Sequence, residues 1–179
     1  MNFPPIYSFP PLYTRQPNAV IRNKQIDSWI DIILSISKQQ SLWEIDSQGK
    51  FIQSDINIFD NKNIDRIVSP LFIKEILQNM IKNQKLISKD DVGNSSSYFI
   101  LWKNLDSWAS LMLEWFETTN KLNQVVTIYE LTSGDESIDW EFHSMPDSLV
   151  SKCLRLLVKR GRATILKDEF NKDIAIKVV

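Results

Sequence analysis

Cysteine is nearly absent from this chain. Cys153 is the only one, so no intrachain disulfide can form and no cysteine-based zinc site can be assembled. Histidine is as sparse: His143 stands alone, which rules out a site built on two imidazoles. There are four glycines, and none sits in a phosphate-binding loop or a nucleophile elbow. No apolar run nears the ~20 residues that cross a bilayer. The N-terminus lacks the basic and apolar stretches of a secretory signal. A basic excess is missing too. The formal net charge is −1. Up to Trp102 the chain carries 11 Lys/Arg against 10 Asp/Glu, and beyond it 10 against 12. Sequence-independent binding to phosphate backbones feeds on such an excess. These absences point to a soluble intracellular protein that is not an enzyme, with no catalytic residues, metal or cofactor.

Aromatic residues are what the chain has in quantity. They make up 11%, with six tryptophans, in a composition that is 43% apolar and 24% charged. That balance is ordinary for a folded protein. A length of 179 residues accommodates one large domain or two small ones. Small domains bury a limited share of their surface, and large rings make that share count.

A short repeat opens the sequence. Phe3-Pro4-Pro5-Ile6-Tyr7-Ser8 is followed by Phe9-Pro10-Pro11-Leu12-Tyr13-Thr14. Paired prolines favour polyproline II, in which six residues make two turns, about 19 Å long. Phe3, Tyr7, Phe9 and Tyr13 then return to one face of a stiff arm as repeated apolar anchors. Pro-Pro-x-Tyr is also the ligand pattern of WW domains, and a disordered tail is the third reading.

Beyond the arm, the periodicity predicts an α+β fold. Asn18 is a good N-cap, and Ile26, Trp29, Ile30 and Ile33 form the stripe of a long helix. Ser41–Asp46 reads as a strand, and Asn57–Val68 is ambiguous, with a short helix as one option. Ser69-Pro70 opens a helix with Ile73, Ile76, Leu77 and Met80 inward. Leu86–Lys89 and Tyr98–Trp102 make a hairpin around a polar loop from Asp90 to Ser97. The second half repeats this order. A helix capped near Asn104 buries Leu105, Trp108, Ala109, Met112 and Phe116. Val125–Leu131 is strand-like, and Gly134–Ser144 is an acidic turn with a short helix. A helix opened by Pro146-Asp147 turns Leu149, Cys153, Leu156 and Leu157 inward and closes at Gly161. Arg162–Lys167 and Asp173–Val178 form the last hairpin. Helix, strand, short helix, proline-started helix and hairpin is the order of a winged helix. The expected organisation is therefore two tandem winged-helix domains, 18–102 and 103–179, preceded by a proline-rich extended arm, 1–17.

Several residues carry a bland reading beside a sharper one. His143 near Glu141 suggests an acid–base pair, yet nothing else converges on it, so a structural role is expected. Cys153 shares the stripe of Leu149 and Leu157 and reads as a core thiol. Trp29, Trp108 and Trp115 read as packing. Asp135, Glu136, Asp139 and Glu141 lack the ligand spacing of a calcium loop. They form a solvated face or the complement of a basic partner helix. Winged helices often bind DNA, but Asp90 and Asp91 would oppose phosphate. Lys152, Arg155, Lys159 and Arg160 are the one basic cluster. It would suit nucleic acid, an acidic partner or an anionic membrane. A DNA-binding, transcription-type protein therefore stands as the alternative.

Three blocks carry a resemblance that spans nearly the whole chain: Tyr7-Ser8-Phe9-Pro10-Pro11-Leu12-Tyr13-Thr14-Arg15-Gln16-Pro17-Asn18, Tyr98-Phe99-Ile100-Leu101-Trp102 with Leu105-Asp106-Ser107-Trp108, and Thr127-Ile128-Tyr129-Glu130-Leu131 with Gly134-Asp135-Glu136 and Trp140-Glu141-Phe142-His143. Together they resemble the small winged-helix subunit of ESCRT-II, the vacuolar protein sorting twenty-five family, in a fungal form. The match is weakest from Ser47 to Arg66. The resemblance implies a protein of the multivesicular body pathway, cytoplasmic and peripheral on endosomal membrane. It implies docking of two copies to two larger ESCRT-II subunits through Pro4, Pro5, Tyr7, Pro10, Pro11 and Tyr13, with Phe3, Phe9 and Leu12 beside them. It further implies recruitment of an ESCRT-III subunit by the second domain. The surface expected for that role is Thr127, Tyr129, Glu130, Asp135, Glu136, Trp140 and Glu141. Nucleic acid is not an expected partner, and membrane is expected to be met only indirectly.

Overall fold

The computed structural model describes residues 2–89 and 96–179. The chain divides into two compact units, Met1–Trp102 and Lys103–Val179, and both are mixtures of helix and antiparallel sheet. In the first unit α1 (Ala19–Gln40) starts where Asn18 accepts the amides of Val20 and Ile21, two donors that have no partner inside the helix. It ends at Ser41 in the left-handed region, φ 50°. Strands β1 (Glu44–Asp46), β2 (Asp60–Asn61) and β3 (Arg66–Ile67) follow, then α2 (Pro70–Lys82), β4 (Leu86–Ser88) and β5 (Ser97–Ile100). The principal sheet has the order β1-β5-β4, all antiparallel, with Glu44 and Ile87 both opposite Phe99. Ser69 caps α2 through the Phe72 amide, with Pro70 at the first helical position.

The ambiguous stretch 57–68 contains no helix. It holds the two-residue ladder of β2 on β3, and Ile58, Phe59 and Val68 turn into the core. Of the hairpin loop expected from Asp90 to Ser97, residues 90–95, including Asp90 and Asp91, lie outside the described residues.

The second unit comprises α3 (Leu105–Thr118), β6 (Val125–Thr127), α4 (Ile128–Ser133), α5 (Asp147–Lys159), β7 (Ala163–Lys167) and β8 (Asp173–Val178). Its sheet order is β6-β8-β7, with each strand in the same relative place as in the first sheet. Trp108, Met112, Trp115 and Phe116 of α3 meet a core completed by Phe142, Leu149, Cys153, Leu157 and Ile176, all fully buried.

Two expectations for this unit are corrected. The β-branched run 125–131 is not one strand. The Thr127 hydroxyl accepts the Glu130 amide at 3.0 Å, and that N-cap turns the chain into α4. Thr127-x-x-Glu130 is the sequence form of a capping box, and it outweighs the β-propensity of Ile128 and Tyr129. On α5, Leu154 is buried and Leu156 is only half-buried. Leu149, Val150, Cys153, Leu154 and Leu157 recur at i, i+1, i+4, i+5 and i+8 around one face.

The arm is not an extended polyproline helix. It folds as two 3-10 turns, Pro5–Ser8 and Pro10–Tyr13, closed by Tyr7 amide to Pro4 carbonyl at 2.9 Å and Leu12 amide to Phe9 carbonyl at 3.0 Å. Polyproline II has no internal hydrogen bonds and keeps its backbone in water. Here Tyr7, Leu12 and Tyr13 are buried in the core of the first unit, so their backbone needs partners of its own.

Candidate partner-docking face on the first unit

Each repeat divides its side chains between inside and outside. Tyr7 and Tyr13 point inward, and the Tyr13 hydroxyl donates to the Tyr7 carbonyl at 2.7 Å. The Tyr7 hydroxyl donates to the Ile58 carbonyl at 2.8 Å. Asn61 Nδ2 donates to the Tyr7 carbonyl at 3.1 Å and to the Tyr13 hydroxyl at 3.0 Å. Around these bonds four rings interlock. Trp29 meets Tyr7 and Tyr13 edge-on, at 6.3 and 5.3 Å between centroids, and Phe59 at 5.0 Å. Phe3 stacks on the outer side of Tyr7 at 3.9 Å.

Helix α1 serves the carbonyls of the arm. Gln25 Nε2 donates to the carbonyls of Pro11, Leu12 and Thr14 at 2.8–3.1 Å. Trp29 Nε1 adds a second donor to Leu12 at 3.0 Å. Arg15 closes the far end on Glu75 of α2, Nε to Oε2 at 2.5 Å. The Arg15 guanidinium holds the Glu75 carboxyl below the usual carboxylate range. The C-terminal end of the arm is therefore anchored to both helices, and at its start the Asn2 amide donates to Gln39 of α1 at 3.2 Å.

Burial pushes both phenols up. Loss of water around Tyr7 is the largest cause, and the neighbouring Tyr13 adds to it. For Tyr13, burial outweighs the opposing hydrogen bond from Asn61. A raised folded-state pKa means that the proton is held more tightly in the folded chain than in the unfolded one. The stabilisation is complete below the unfolded phenol range, about 10, and is lost as pH rises through and above it. In a spectrophotometric alkaline titration, the ionisation of Tyr7 and Tyr13 is expected to appear together with unfolding of the first unit. Their smooth ionisation in a still-folded chain would contradict this packing.

What remains outside is apolar. Ile6, Phe9, Pro10 and Pro11 are exposed on the arm, and Val20 and Ile21 continue the surface onto α1. Phe9 is 55% and Ile21 54% exposed. An open groove of about 220 Å³ runs between them, lined by Ile6, Phe9, Pro11, Leu12, Ile21 and Lys24, among others. A contiguous apolar surface on a rigid support is the usual mark of a protein–protein contact. Of the residues expected to dock, Pro5, Phe9, Pro10 and Pro11 are on this outer surface. Phe3 and Pro4 are half-buried, and Tyr7, Leu12 and Tyr13 are internal. Ile6 and Ile21 escaped the sequence reading. Ile6 fills the variable position of Pro-Pro-x-Tyr, and Ile21 lies off the inward stripe of α1. An apolar residue outside such a stripe is the signal that could have found it.

The surface expected on the second unit is partly tied to its own framework. Lys121 bridges Glu130 and Glu136, 2.7 Å from each carboxylate. Lys103 pairs with Glu141. Thr127, Tyr129, Asp135 and Glu136 are exposed, and Trp140 and Glu141 are half-buried. Ile138, between them, is 59% exposed. The structure thus brings Glu130 and Glu136 together and joins Glu141 to Lys103 instead. His143 Nδ1 lies 2.9 Å from the Ser137 hydroxyl, which itself donates to the Gly134 carbonyl, a turn-fixing arrangement. Cys153 is buried, and desolvation pushes its thiol up to about 12, which removes it as a nucleophile. Trp29, Trp108 and Trp115 are fully buried. Among the described residues no cluster of metal-ligating side chains occurs.

Comparison with known proteins places these features in one family. The family model for ESCRT-II complex subunits matches residues 6–146. Vacuolar protein-sorting-associated protein 25 of Saccharomyces cerevisiae is 50% identical, with 98% of each chain covered. The protein of the same name from Homo sapiens is 30% identical, over 89% of this chain and 88% of its own. The crystal structure of subunit VPS25 of the endosomal trafficking complex ESCRT-II superposes with a TM-score of 0.90 and 51% identity, covering 99% of this chain and 100% of that one. A crystal structure of endosomal complex ESCRT-II (VPS22/VPS25/VPS36) contains a chain that matches at a TM-score of 0.87 and 51% identity, over 98% of both. With this match in sequence and in α+β architecture, the chain belongs to the family of ESCRT-II complex subunits.

Proposed function

We propose that this chain is a non-catalytic assembly subunit of an endosomal ESCRT-II complex and joins two larger subunits through the proline-rich face of its first unit. The observation that carries the reading is the division of the arm. Its tyrosines are consumed in packing on Trp29 of α1 and in hydrogen bonds to Ile58 and within the arm, while Ile6, Phe9, Pro10 and Pro11 are left outside on a fixed backbone. Docking such a surface costs little ordering entropy, because the arm is already ordered. The complex of VPS22, VPS25 and VPS36 supplies the partners by analogy, and the proposal adds that two copies of this chain enter each complex.

Both units act in this reading as winged helices. The sheet orders β1-β5-β4 and β6-β8-β7, with α2 or α5 entering the terminal hairpin, support that assignment. The second unit would recruit an ESCRT-III subunit through the surface around Thr127, Tyr129, Asp135 and Glu136, at the cytoplasmic side of endosomes. No helix among the described residues is long and apolar enough to cross a membrane. The near-neutral charge of both units speaks against the DNA-binding alternative.

Burial changes the choice of test. Alanine at Tyr7 or Tyr13 would disturb folding and docking together. The informative variant is Ile6→Ser/Phe9→Ser, which removes exposed side chains only. On co-expression with the two larger subunits, read by size exclusion with mass determination, the wild type should enter the complex and the variant should be lost from it. Each apolar anchor that fills a pocket contributes about 1.5–3 kcal/mol. A variant that melts like wild type and still co-purifies fully would remove the docking role of this face.

A further inference from the structure

Charge is strongly segregated within the second unit. Residues 103–145 carry two Lys/Arg against eight Asp/Glu, whereas residues 146–173 carry seven against four. The basic section is α5 with the β7–β8 hairpin. On α5, Ser148, Lys152, Arg155 and Lys159 recur at i, i+4, i+7 and i+11, a stripe opposite the buried face of Leu149, Cys153 and Leu157. Arg160 and Arg162, just beyond the helix, are drawn to α3 by Asp106 and Glu117.

The hairpin adds cations and an aromatic ring. Arg155 reaches Asp173 on β8 at 3.2 Å, which ties the stripe to the hairpin. Asp173 is almost wholly buried, with a side chain 5% exposed, and offers little charge to the outside. Asp168 Oδ1 accepts the amides of Phe170 and Lys172, both at 2.9 Å. The Lys167 ammonium donates to Asn171 at 2.9 Å. These bonds fix a turn whose outermost large side chain is Phe170, 81% exposed. Lys167 and Lys172 flank it with side chains 44% and 66% exposed, each 3.9 Å from a carboxylate, that of Asp173 and that of Asp147. Asp147, Asp168 and Glu169 are the other carboxylates on this side; with Asp173 they make four against Lys152, Arg155, Lys159, Lys167 and Lys172, so one cation is in excess.

We propose that this face contacts anionic lipid headgroups, with Phe170 entering the interfacial layer and Lys152, Lys159, Lys167 and Lys172 meeting the headgroup charge. Charge complementarity selects the occupant: basic side chains around one projecting ring form the pattern that anionic bilayer surfaces attract. The turn is held by three side-chain hydrogen bonds, so the ring is presented at little ordering cost. The assignment goes beyond a membrane role exercised only through partners, and it does not depend on the arm.

The test is co-sedimentation of the full chain with vesicles of phosphatidylcholine, with and without phosphatidylserine, at low and high salt. Binding is expected with phosphatidylserine only and is suppressed by salt, because exposed charges are screened within a Debye length. Lys152→Ala/Lys159→Ala should lower partitioning about fivefold per lysine, and Phe170→Ser should lower it at unchanged charge. All three positions lie outside the core, so unchanged circular dichroism separates loss of contact from loss of fold. Equal binding to neutral vesicles, no binding at low salt, or variants that bind like wild type would overturn the proposal. So would retention on polyglutamate without vesicle binding, which would assign the face to an acidic protein partner.

Discussion

Trp29→Ala is expected to destabilise the first unit by about 3–5 kcal/mol. The ring is fully buried and is the piece on which Tyr7, Tyr13 and Phe59 converge. Its removal leaves a cavity that rigid neighbours cannot collapse into, and it deletes one of the two donors to the Leu12 carbonyl. For a unit of this size each kcal/mol moves the melting midpoint by roughly 4–8 °C. The loss is also a sizeable fraction of a typical domain stability of about 5–15 kcal/mol. Scanning calorimetry of wild type and variant measures it. The arm should detach first, so proteolysis near Thr14 should rise below the melting range. A shift of only a few degrees, with no change in cleavage, would mean that the arm is not held by this ring.

Gly49→Ala is the second large effect. Gly49 has φ +83°, and a Cβ there would lie 2.6 Å from Phe59 Cε2 and 2.9 Å from Ile73 Cγ2. Two costs combine. The left-handed backbone disfavours an L side chain by about 1–2 kcal/mol, and forcing a methyl into a filled core adds about 1–3 kcal/mol. Gly161 provides the control. Its φ is +69°, yet a Cβ there would meet nothing within 4 Å. Gly161→Ala should therefore show the backbone cost alone. Urea unfolding of both variants separates strain from overpacking. Equal losses at the two positions would show that the Phe59–Ile73 contact yields freely.

Much of the scaffold was legible before any coordinates. The caps at Asn18, Ser69 and Asn104 and the proline at position 70 mark helix starts, because they satisfy or remove amides that no helix can pair internally. The inward stripes of α1 and α2 follow from period alone. The capping box Thr127-x-x-Glu130 was present in the sequence too, and it was hidden by the β-branched residues around it. Leu156 in place of Leu154 is a smaller miss of the same kind. A single helix period leaves the centre of the buried face uncertain by one residue, and only the packing of α3 decides it.

The arm marks the limit of local reading. The doubled Phe-Pro-Pro-x-Tyr pattern and the aromatic excess are properties of the sequence, as are the near-neutral charge and the places of the capped long helices and closing hairpins in both units. All depend on residue type and spacing along the chain. Which of the arm's side chains face in and which face out was decided only in three dimensions. Tyr7 and Tyr13 turn inward because Ile58, Asn61, Gln25 and Trp29, distant in sequence, offer hydrogen-bond partners and a hydrophobic cavity together. Polyproline geometry offers neither. A motif read in isolation shows the conformations open to it, and long-range burial with satisfied hydrogen bonds selects among them.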